Sequence, residues 1–151
     1  MSSTSKKTEQ YSTFSIGDRL YGINVMKVQE VTKTMAMTGV PLAPKHVCGL
    51  INLRGQIATA VSLRELFGIS GQKPQDEMNV VCRVDGLLFS FLVDDIGDVV
   101  ELETSTQEPL PATVDVNLRR YLQGVYKLPN RILSIIDIEK ISMAINHDAV
   151  G

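Results

Sequence analysis

The residues of this chain that could support chemistry are few and far apart. His46 and Cys48 stand two positions apart, close enough to share one face of a strand and to begin a zinc site or a thiol–imidazole pair. Such sites need further ligands or partners, and the other histidine, His147, lies in the polar tail. We interpret Cys48 as a structural residue near a solvated His46, and we expect no catalytic residue and no metal site.

A second cluster, formed by Asp94, Asp95 and Asp98, could in principle hold a divalent cation. The spacing and the terminal glutamate of an EF-hand are absent, so we interpret these acids as solvated residues of a turn between strands. The sequence contains neither a GxGxxG fingerprint nor a P-loop, so we expect no nucleotide cofactor. The chain therefore shows no catalytic machinery.

Composition argues against two further classes of function. A net charge of −2, the absence of tryptophan and an aromatic content of 5% disfavour a nucleic-acid-binding protein. A small β-barrel nucleic-acid-binding module remains the alternative from a different class, and salt-dependent binding to DNA or RNA would support it. The polar start lacks the apolar core of a signal peptide, and no apolar run approaches the roughly 20 residues of a membrane span. We expect a cytoplasmic protein with reduced cysteines.

Short apolar stretches bounded by turn residues predict β-strands along most of the chain. In the first half these stretches are residues 11–16, 20–23, 28–34, 50–53 and 57–61. Ser62 and Glu65 have the spacing of a capping box, and Gly68 is placed to end the short helix that follows. Residues 68–77 are polar and predict a linker.

The pattern of the first half returns after this linker. A shift of 68 positions places Val25, Val28 and Val31 on Val93, Ile96 and Val99. A shift of 75 positions places residues 49–66 on residues 124–141, with Asp137 in the capping place of Ser62. The larger second shift predicts a longer central loop in the second half. We infer an internal duplication and predict an all-β fold of two small barrels sharing a boundary.

The repeated valines also suggest a binding surface. Their three-residue spacing differs from the two-residue alternation of a regular strand. Core packing accounts for most such residues. Where two barrels meet, however, part of the stripe would border a groove, and apolar grooves are where an amphipathic partner helix docks.

Several motifs together resemble the CheW family of bacterial chemotaxis coupling proteins. The most specific are YGINVMKVQEV (Tyr21–Val31) and GLINLRG (Gly49–Gly55). FLVDDIGDVVEL and RILSIIDIEKI fit the same family, and the resemblance covers about residues 11–145 in order. Asn24 stands where an aspartate is frequent in the family, and Ser90 stands where a glycine is common.

The resemblance implies two intertwined, SH3-like, five-stranded β-barrel subdomains with short helices, including a C-terminal one. It implies a single CheW-like domain over residues 11–145, with halves at about 11–70 and 78–145 between which strands can be exchanged. We expect flexible tails at residues 1–10 and 146–151. Members of the family have no enzymatic activity, and no cofactor is implied.

The function implied is that of an adaptor. It would couple the cytoplasmic tips of chemoreceptors, the methyl-accepting chemotaxis proteins, to the regulatory domain of the histidine kinase CheA. It would also help to build the signalling array near the membrane, without inserting into the membrane and without binding nucleic acid. The alternative within this class is a coupling protein of a non-flagellar chemosensory pathway that controls pili or gene expression.

Carried over by position, the resemblance also implies site residues. The receptor-binding groove would comprise Val25, Val28, Gly49, Val80 and Val99. Glu30 and Arg54 would form a bidentate ion pair, presented by a turn that also contains Asn52, Leu53 and Gly55. The contact with the kinase in the array would involve Glu108, Pro109 and Pro111, although an arginine can precede the proline in the family and this chain has Glu108.

Overall fold

The computed structural model describes residues 6–150, with side chains to residue 146. The strands in this part of the chain are β1 Thr8–Ile16, β2 Arg19–Asn24, β3 Val28–Thr32, β4 Val47–Leu53, β5 Gln56–Ser62, β6 Met78–Val84, β7 Leu87–Val93, β8 Asp95–Glu103, β9 Leu122–Lys127 and β10 Ile132–Ile136. The α-helices are α1 Leu63–Phe67, α2 Val116–Arg119 and α3 Ile138–Val150. Short 3-10 turns occupy Val25–Lys27 and Thr104–Thr106.

The strands form two five-stranded sheets, which confirms the predicted all-β fold of two SH3-like units. One sheet has the order β8-β1-β2-β10-β9, and we call it the first barrel. The other has the order β3-β6-β7-β5-β4, and we call it the second barrel. Neighbouring strands are antiparallel except for two parallel pairs, β2 with β10 and β5 with β7.

The barrels do not coincide with the halves of the sequence. The second barrel is one continuous segment, residues 28–93, whereas the first barrel combines residues 8–24 with residues 95–136. Each half of the repeat therefore contributes strands to both barrels. Within the described residues the backbone passes between the barrels at two places, which we call crossovers: the turn at residues 25–28 and the residue Asp94.

The duplication is visible in matching backbone bridges. In the second barrel Thr38 and Leu50 exchange two N–H···O bonds of 2.9 and 2.8 Å. In the first barrel Glu108 and Val125 do the same at 2.8 and 2.9 Å, and Val125 lies 75 positions after Leu50. Each bridge fastens the segment between the third and fourth strands of its repeat, which we call a strap, across the barrel (residues 33–46 and 104–115). The strand residues of the two bridges are related by the shift of 75, whereas the strap residues Thr38 and Glu108 are 70 positions apart. The same kind of bridge thus recurs with straps of different length, which supports the inferred repeat.

Three apolar clusters stabilise this arrangement. The largest lies where the barrels meet and receives Phe14 and Tyr21 from the first barrel and Val80 and Phe91 from the second. The interior of the second barrel is filled by Ile51, Leu53, Ala58, Ala60, Val81 and Leu88. The interior of the first barrel is filled by Tyr11, Tyr126, Leu133 and Ile135. Because the shared cluster is the largest, burial of apolar surface joins the two barrels into one body.

The predicted capping residues Ser62, Gly68 and Asp137 are confirmed, but the reciprocal bond of the capping box is not formed, because the Ser62 amide donates to the carbonyl of His46. The Ser62 hydroxyl accepts a hydrogen bond of 3.2 Å from the amide of Glu65 at the start of α1. Gly68 ends α1 in the left-handed conformation, with φ of 68°. In the second half the carboxylate of Asp137 accepts a bond of 3.2 Å from the amide of Lys140. The corresponding helices of the two halves, α1 and α3, thus both begin with a capping side chain.

Three boundaries differ from those predicted. Residues 8–10 begin β1 and residues 146–150 belong to α3, so these parts of the predicted tails are ordered by pairing with β8 and by continuation of the helix. Residues 1–5 and 151 lie outside the described part. The predicted linker packs at both ends, because Ile69 contacts the shared cluster and Glu77 is buried. No helix in the described part is long and apolar enough to cross a membrane.

Candidate functional site

The first crossover presents apolar side chains to solvent. Val25 and Val28 are partly exposed, and Met26 between them is 86% exposed. The turn starts at Asn24, whose side-chain oxygen accepts a bond of 2.9 Å from the amide of Met26. An ordered turn that exposes a methionine to solvent does not serve core packing, and it is typical of a contact surface.

Val99 extends this apolar surface onto the first barrel. It is 58% exposed on the edge strand β8, and its partner across the sheet is Ser12 of β1. Ser12 also pairs with Ile23, which precedes the 25–28 turn. Two strand spacings of about 4.8 Å therefore separate Val99 from the residue that leads into the turn. Val99 therefore lies on the same sheet as the strand that leads into the turn carrying Val25 and Val28.

Two residues predicted for the groove lie elsewhere. Val80 is fully buried on β6 within the shared cluster, so it cannot line an open surface. Gly49 is buried beneath the 33–46 strap. A Cβ atom at Gly49 would lie 2.7 Å from the carbonyl oxygen of Thr38, which explains why glycine is required there. Both residues support the fold instead of offering a contact surface.

Glu30 and Arg54 form an ion pair on the second barrel. An Arg54 nitrogen, Nη2, lies 2.5 Å from Glu30 Oε1, and the side chains are 24% exposed for Glu30 and 72% exposed for Arg54. The described contact joins one nitrogen to one oxygen, so the bidentate geometry predicted from sequence is wrong. Glu30 raises the pKa of the Arg54 guanidinium above its ordinary value. The pair lies on the surface, where such contacts contribute little to stability.

The turn that presents Arg54 is backbone-strained. Arg54 and Gly55 both have positive φ, of 50° and 91°, in the two-residue connection between β4 and β5. Asn52 accepts a bond of 2.8 Å from the Gly55 amide, and Leu53 is buried inside the barrel. Glycine adopts this conformation without cost, whereas an arginine in it costs of order 1 kcal/mol. The backbone conformation and the bond between Asn52 and Gly55 together define the turn from which Arg54 leaves the barrel.

The residues predicted for the kinase contact lie on the strap of the first barrel. Glu108 forms the backbone bridge with Val125, and its carboxylate lies 3.4 Å from Lys127 Nζ. Pro109 and Pro111 are exposed on either side of Leu110. The half-buried Leu110 packs against the shared cluster and holds the prolines at the surface.

The residues considered for chemistry do not assemble into a reactive site. Burial raises the pKa of the Cys48 thiol, which keeps it protonated and poorly nucleophilic. His46 is half-buried before β4, and its carbonyl accepts a bond of 2.8 Å from the amide of Ser62. The side chain of His147 lies outside the described residues. Among those that are described, no three histidine, cysteine or acidic residues are grouped to hold a metal ion.

Sequence reasoning missed a buried ion pair at the second crossover. Arg64 of α1 places Nη2 2.5 Å from Asp94 Oδ2, with side chains 8% and 16% exposed. The same oxygen accepts a bond of 2.7 Å from the amide of Gly17. The prediction that Asp94 is solvated is therefore wrong, because α1 covers it, whereas Asp95 and Asp98 are exposed. The one sequence signal was an arginine between leucines in a capped helix.

Comparisons with known proteins point to one family. A family model described as "CheW-like domain" matches residues 10–145. The chain is 30% identical to the chemotaxis protein CheW of Helicobacter pylori over 133 residues, covering 87% of this chain and 80% of the relative. It is 27% identical to the chemotaxis protein CheW of Bacillus subtilis over 142 residues, covering 93% and 91%.

A solved structure gives the same result for the fold. The crystal structure of the scaffolding protein TtCheW from Thermoanaerobacter tengcongensis superposes with a TM-score of 0.78 at 28% identity. The match covers 87% of this chain and 90% of the other. Family model, sequence relatives and structural neighbour agree with the motifs quoted above. The chain belongs to the CheW-like domain family, and it is a non-enzymatic adaptor of chemotaxis signalling.

Proposed function

We propose that this adaptor couples the cytoplasmic tips of chemoreceptors to the regulatory domain of the histidine kinase CheA. Its place would be cytoplasmic, within receptor arrays next to the membrane. The observation that carries the proposal is the exposed apolar region at the junction of the barrels, formed by Val25, Met26, Val28 and Val99. The membership of the chain in a family of chemotaxis adaptors supports it.

The receptor partner would be a helical hairpin. An amphipathic helix can place its apolar face on this region, as helices do in apolar grooves. Glu30 and Arg54 would flank the contact, with Arg54 presented by the turn between β4 and β5. Asn52, Leu53 and Gly55 would act through that turn and not by touching the receptor.

The kinase partner would use a different face. The exposed Pro109 and Pro111, with Glu108 beside them, lie on the strap of the first barrel. Glu108 is already near Lys127, so a cation on the kinase would share this carboxylate. Two separate faces would allow both partners to bind at once, and repetition in an array would then strengthen weak individual contacts.

The test is Val28→Asp, with binding to a receptor tip fragment and to the CheA regulatory domain measured in parallel. A charge in an apolar contact should weaken receptor binding at least about tenfold and leave kinase binding unchanged. Leu42→Asp is the matched control, because Leu42 is fully exposed on the strap of the second barrel and belongs to neither proposed face. Thermal unfolding must remain cooperative in both variants. Normal receptor binding by a folded Val28→Asp variant would contradict the proposal.

A further inference from the structure

The first crossover is tied to the rest of the molecule through both ends of one amide side chain. Asn24 Oδ1 accepts a bond of 2.9 Å from the Met26 amide, which caps the 3-10 turn. Asn24 Nδ2 donates a bond of 2.6 Å to Glu9 Oε2 at the start of β1. The orientation of the amide, and hence of the cap, therefore depends on an acceptor at residue 9.

Glu9 is itself held by the interior of the first barrel. The hydroxyl of Tyr11 lies 3.3 Å from Glu9 Oε2 and donates to it. The hydroxyls of Tyr11 and Tyr126 are 3.0 Å apart, and both rings are almost completely buried. Burial, helped by Tyr126 and Glu9, raises the pKa of Tyr11 well above its ordinary value, so this donor stays protonated. A rigid polar chain thus runs from the barrel interior to the turn.

Glu9, Tyr11 and Asn24 line a polar cavity of about 360 Å³ next to the turn. The other ionisable residues on its wall are Lys7, Lys27 and Glu139. Lys27 Nζ is engaged at 2.6 Å by Glu139 Oε2 on α3. The Glu9–Asn24 contact is therefore a direct link between the turn and β1, and the Lys27–Glu139 pair is its link to α3.

We propose that the hydrogen bond between Glu9 and Asn24 is the positioning contact of the receptor-facing turn. Asn24 and Glu9 set the direction in which Val25, Met26 and Val28 are presented, without touching the partner. The inference rests on the proposed function of that turn.

The chemistry of the contact makes a distinctive prediction. A carboxyl introduced at position 24 would face the Glu9 carboxylate at hydrogen-bond distance, and two like charges there repel. A proton retained between them would restore the bond at low pH, and its loss at higher pH would release the turn. Exchanging the two groups, so that residue 9 carries the amide and residue 24 the carboxylate, recreates one donor and one acceptor. The contact between residues 9 and 24 should therefore persist when the carboxylate and the amide exchange places, and it should be lost when both residues carry a carboxylate.

The experiment compares Asn24→Asp, Glu9→Gln and the double variant for affinity to a receptor tip fragment, at about pH 5 and about pH 8. Asn24→Asp should bind about tenfold more weakly at the higher pH, the loss expected for one charge-assisted hydrogen bond, and recover at the lower pH. The double variant should bind like wild type at both. An Asn24→Asp variant that binds normally at the higher pH, or a double variant no better than it, would overturn the inference.

Hydrogen exchange of the Met26 amide separates this inference from the proposed function, because it needs no receptor. Protection of this amide should fall in Asn24→Asp at the higher pH and return in the double variant. If wild type fails to bind the receptor while this pattern holds, the proposed function fails and the positioning contact stands. Unchanged protection in every variant would refute the positioning contact whatever the receptor data show.

Discussion

At each crossover a helix residue forms an ion pair with a crossover residue, and the positions of the acid and the base are exchanged between the two crossovers. At the second crossover Arg64 of α1 pairs with Asp94, which follows β7. At the first, Glu139 of α3 pairs with Lys27, which follows β2. Glu139 lies 75 positions after Arg64, the same shift that relates the strands before the two helices. On the shift of 68 Lys27 falls on Asp95, one position after Asp94, so the two crossover ion pairs are nearly but not strictly equivalent. The acid lies on the helix in one pair and on the crossover in the other.

The two pairs differ most in burial. The Arg64–Asp94 side chains are 8% and 16% exposed, whereas Lys27 and Glu139 are 45% and 44% exposed. Exposed ion pairs contribute roughly 0–1 kcal/mol, but removing one member of a buried pair leaves an uncompensated charge. The second crossover is therefore fixed, and the first, which carries the proposed receptor surface, is held weakly by its ion pair. Similar geometry thus has a structural role at the second crossover, whereas at the first crossover we propose a role in binding.

The largest expected effect tests this difference directly. Arg64→Met should destabilise the protein by about 3–5 kcal/mol, because Asp94 would remain buried without its cation. Glu139→Gln should cost less than about 1 kcal/mol, since its partner Lys27 stays solvated. Urea unfolding midpoints measure both.

A double variant serves as the control for this prediction. Arg64→Met combined with Asp94→Asn removes both charges, and the asparagine can still accept the Gly17 amide. Its stability should lie closer to wild type than that of Arg64→Met alone. Equal losses for Arg64→Met and Glu139→Gln would show that burial does not distinguish the two crossovers.

The second prediction, of intermediate size, concerns a feature that the two barrels share, a glycine packed beneath each strap. Gly49→Ala and Gly124→Ala should each cost about 1–3 kcal/mol, because the added Cβ would meet a strap carbonyl and overpack the site. The contact distances are 2.7 Å to Thr38 O and 2.8 Å to Glu108 O. Chemical denaturation should therefore give similar losses for the two variants.

Gly39→Ala is the matched control for these substitutions. Gly39 lies on the same strap as Thr38, and a Cβ there would meet nothing within 4 Å. Its unfolding midpoint should match that of wild type. A loss at only one of the two buried glycines would mean that the straps are not held in the same way.

The smallest effect concerns pH and compares Glu77 with Glu9, which precedes it by 68 positions. Burial raises the pKa of Glu77 above its ordinary 4.5, with Asp94 adding to the shift and Lys73 and Arg64 opposing it. In the folded state the neutral form is therefore favoured, and stability falls as pH rises from 4.5 through the raised value. Glu77→Gln should remove this fall.

Unfolding midpoints across that pH range measure the effect. Glu77→Gln should equal wild type below pH 4.5 and exceed it increasingly above, until the raised pKa is passed. Glu9→Gln is the comparison variant, and it should be less stable than wild type because Glu9 accepts bonds from Asn24 and Tyr11. Parallel profiles for Glu77→Gln and wild type would show that folding does not raise the pKa of this carboxyl.

Local patterns in the sequence were sufficient for much of the fold. The capping side chains of Ser62 and Asp137, the left-handed Gly68 and the alternation of most strands depend on neighbours within a few residues. The repeat was visible because these local signals recur in the same order. The apolar turn at residues 25–28 was found because its three-residue spacing departs from that of a strand.

Contacts across the repeat could not be read in this way. The burial of Val80 follows from its place at the junction of two barrels, and a valine on an edge surface has the same local pattern. Asp94 is covered by α1, whose Arg64 lies 30 positions earlier in the chain. The residues next to Asp94 in the sequence give no sign of this contact. In the sequence Asn24 is only an asparagine at a position where the family often has an aspartate. Its hydrogen bond to Glu9 depends on the pairing of β1 with β2, which the sequence near Asn24 does not show.

The continuity of the second barrel has a consequence for recombination between related genes. Its first and last residues, Val28 and Val93, pair with Cys82 and Met78 of the same strand, about 13 Å apart along β6. A recombination event that transfers residues 28–93 would carry one whole barrel, whereas an event that breaks at the linker would divide both. The stretch inferred to have been duplicated and the stretch that contains one whole barrel are therefore different parts of the same chain.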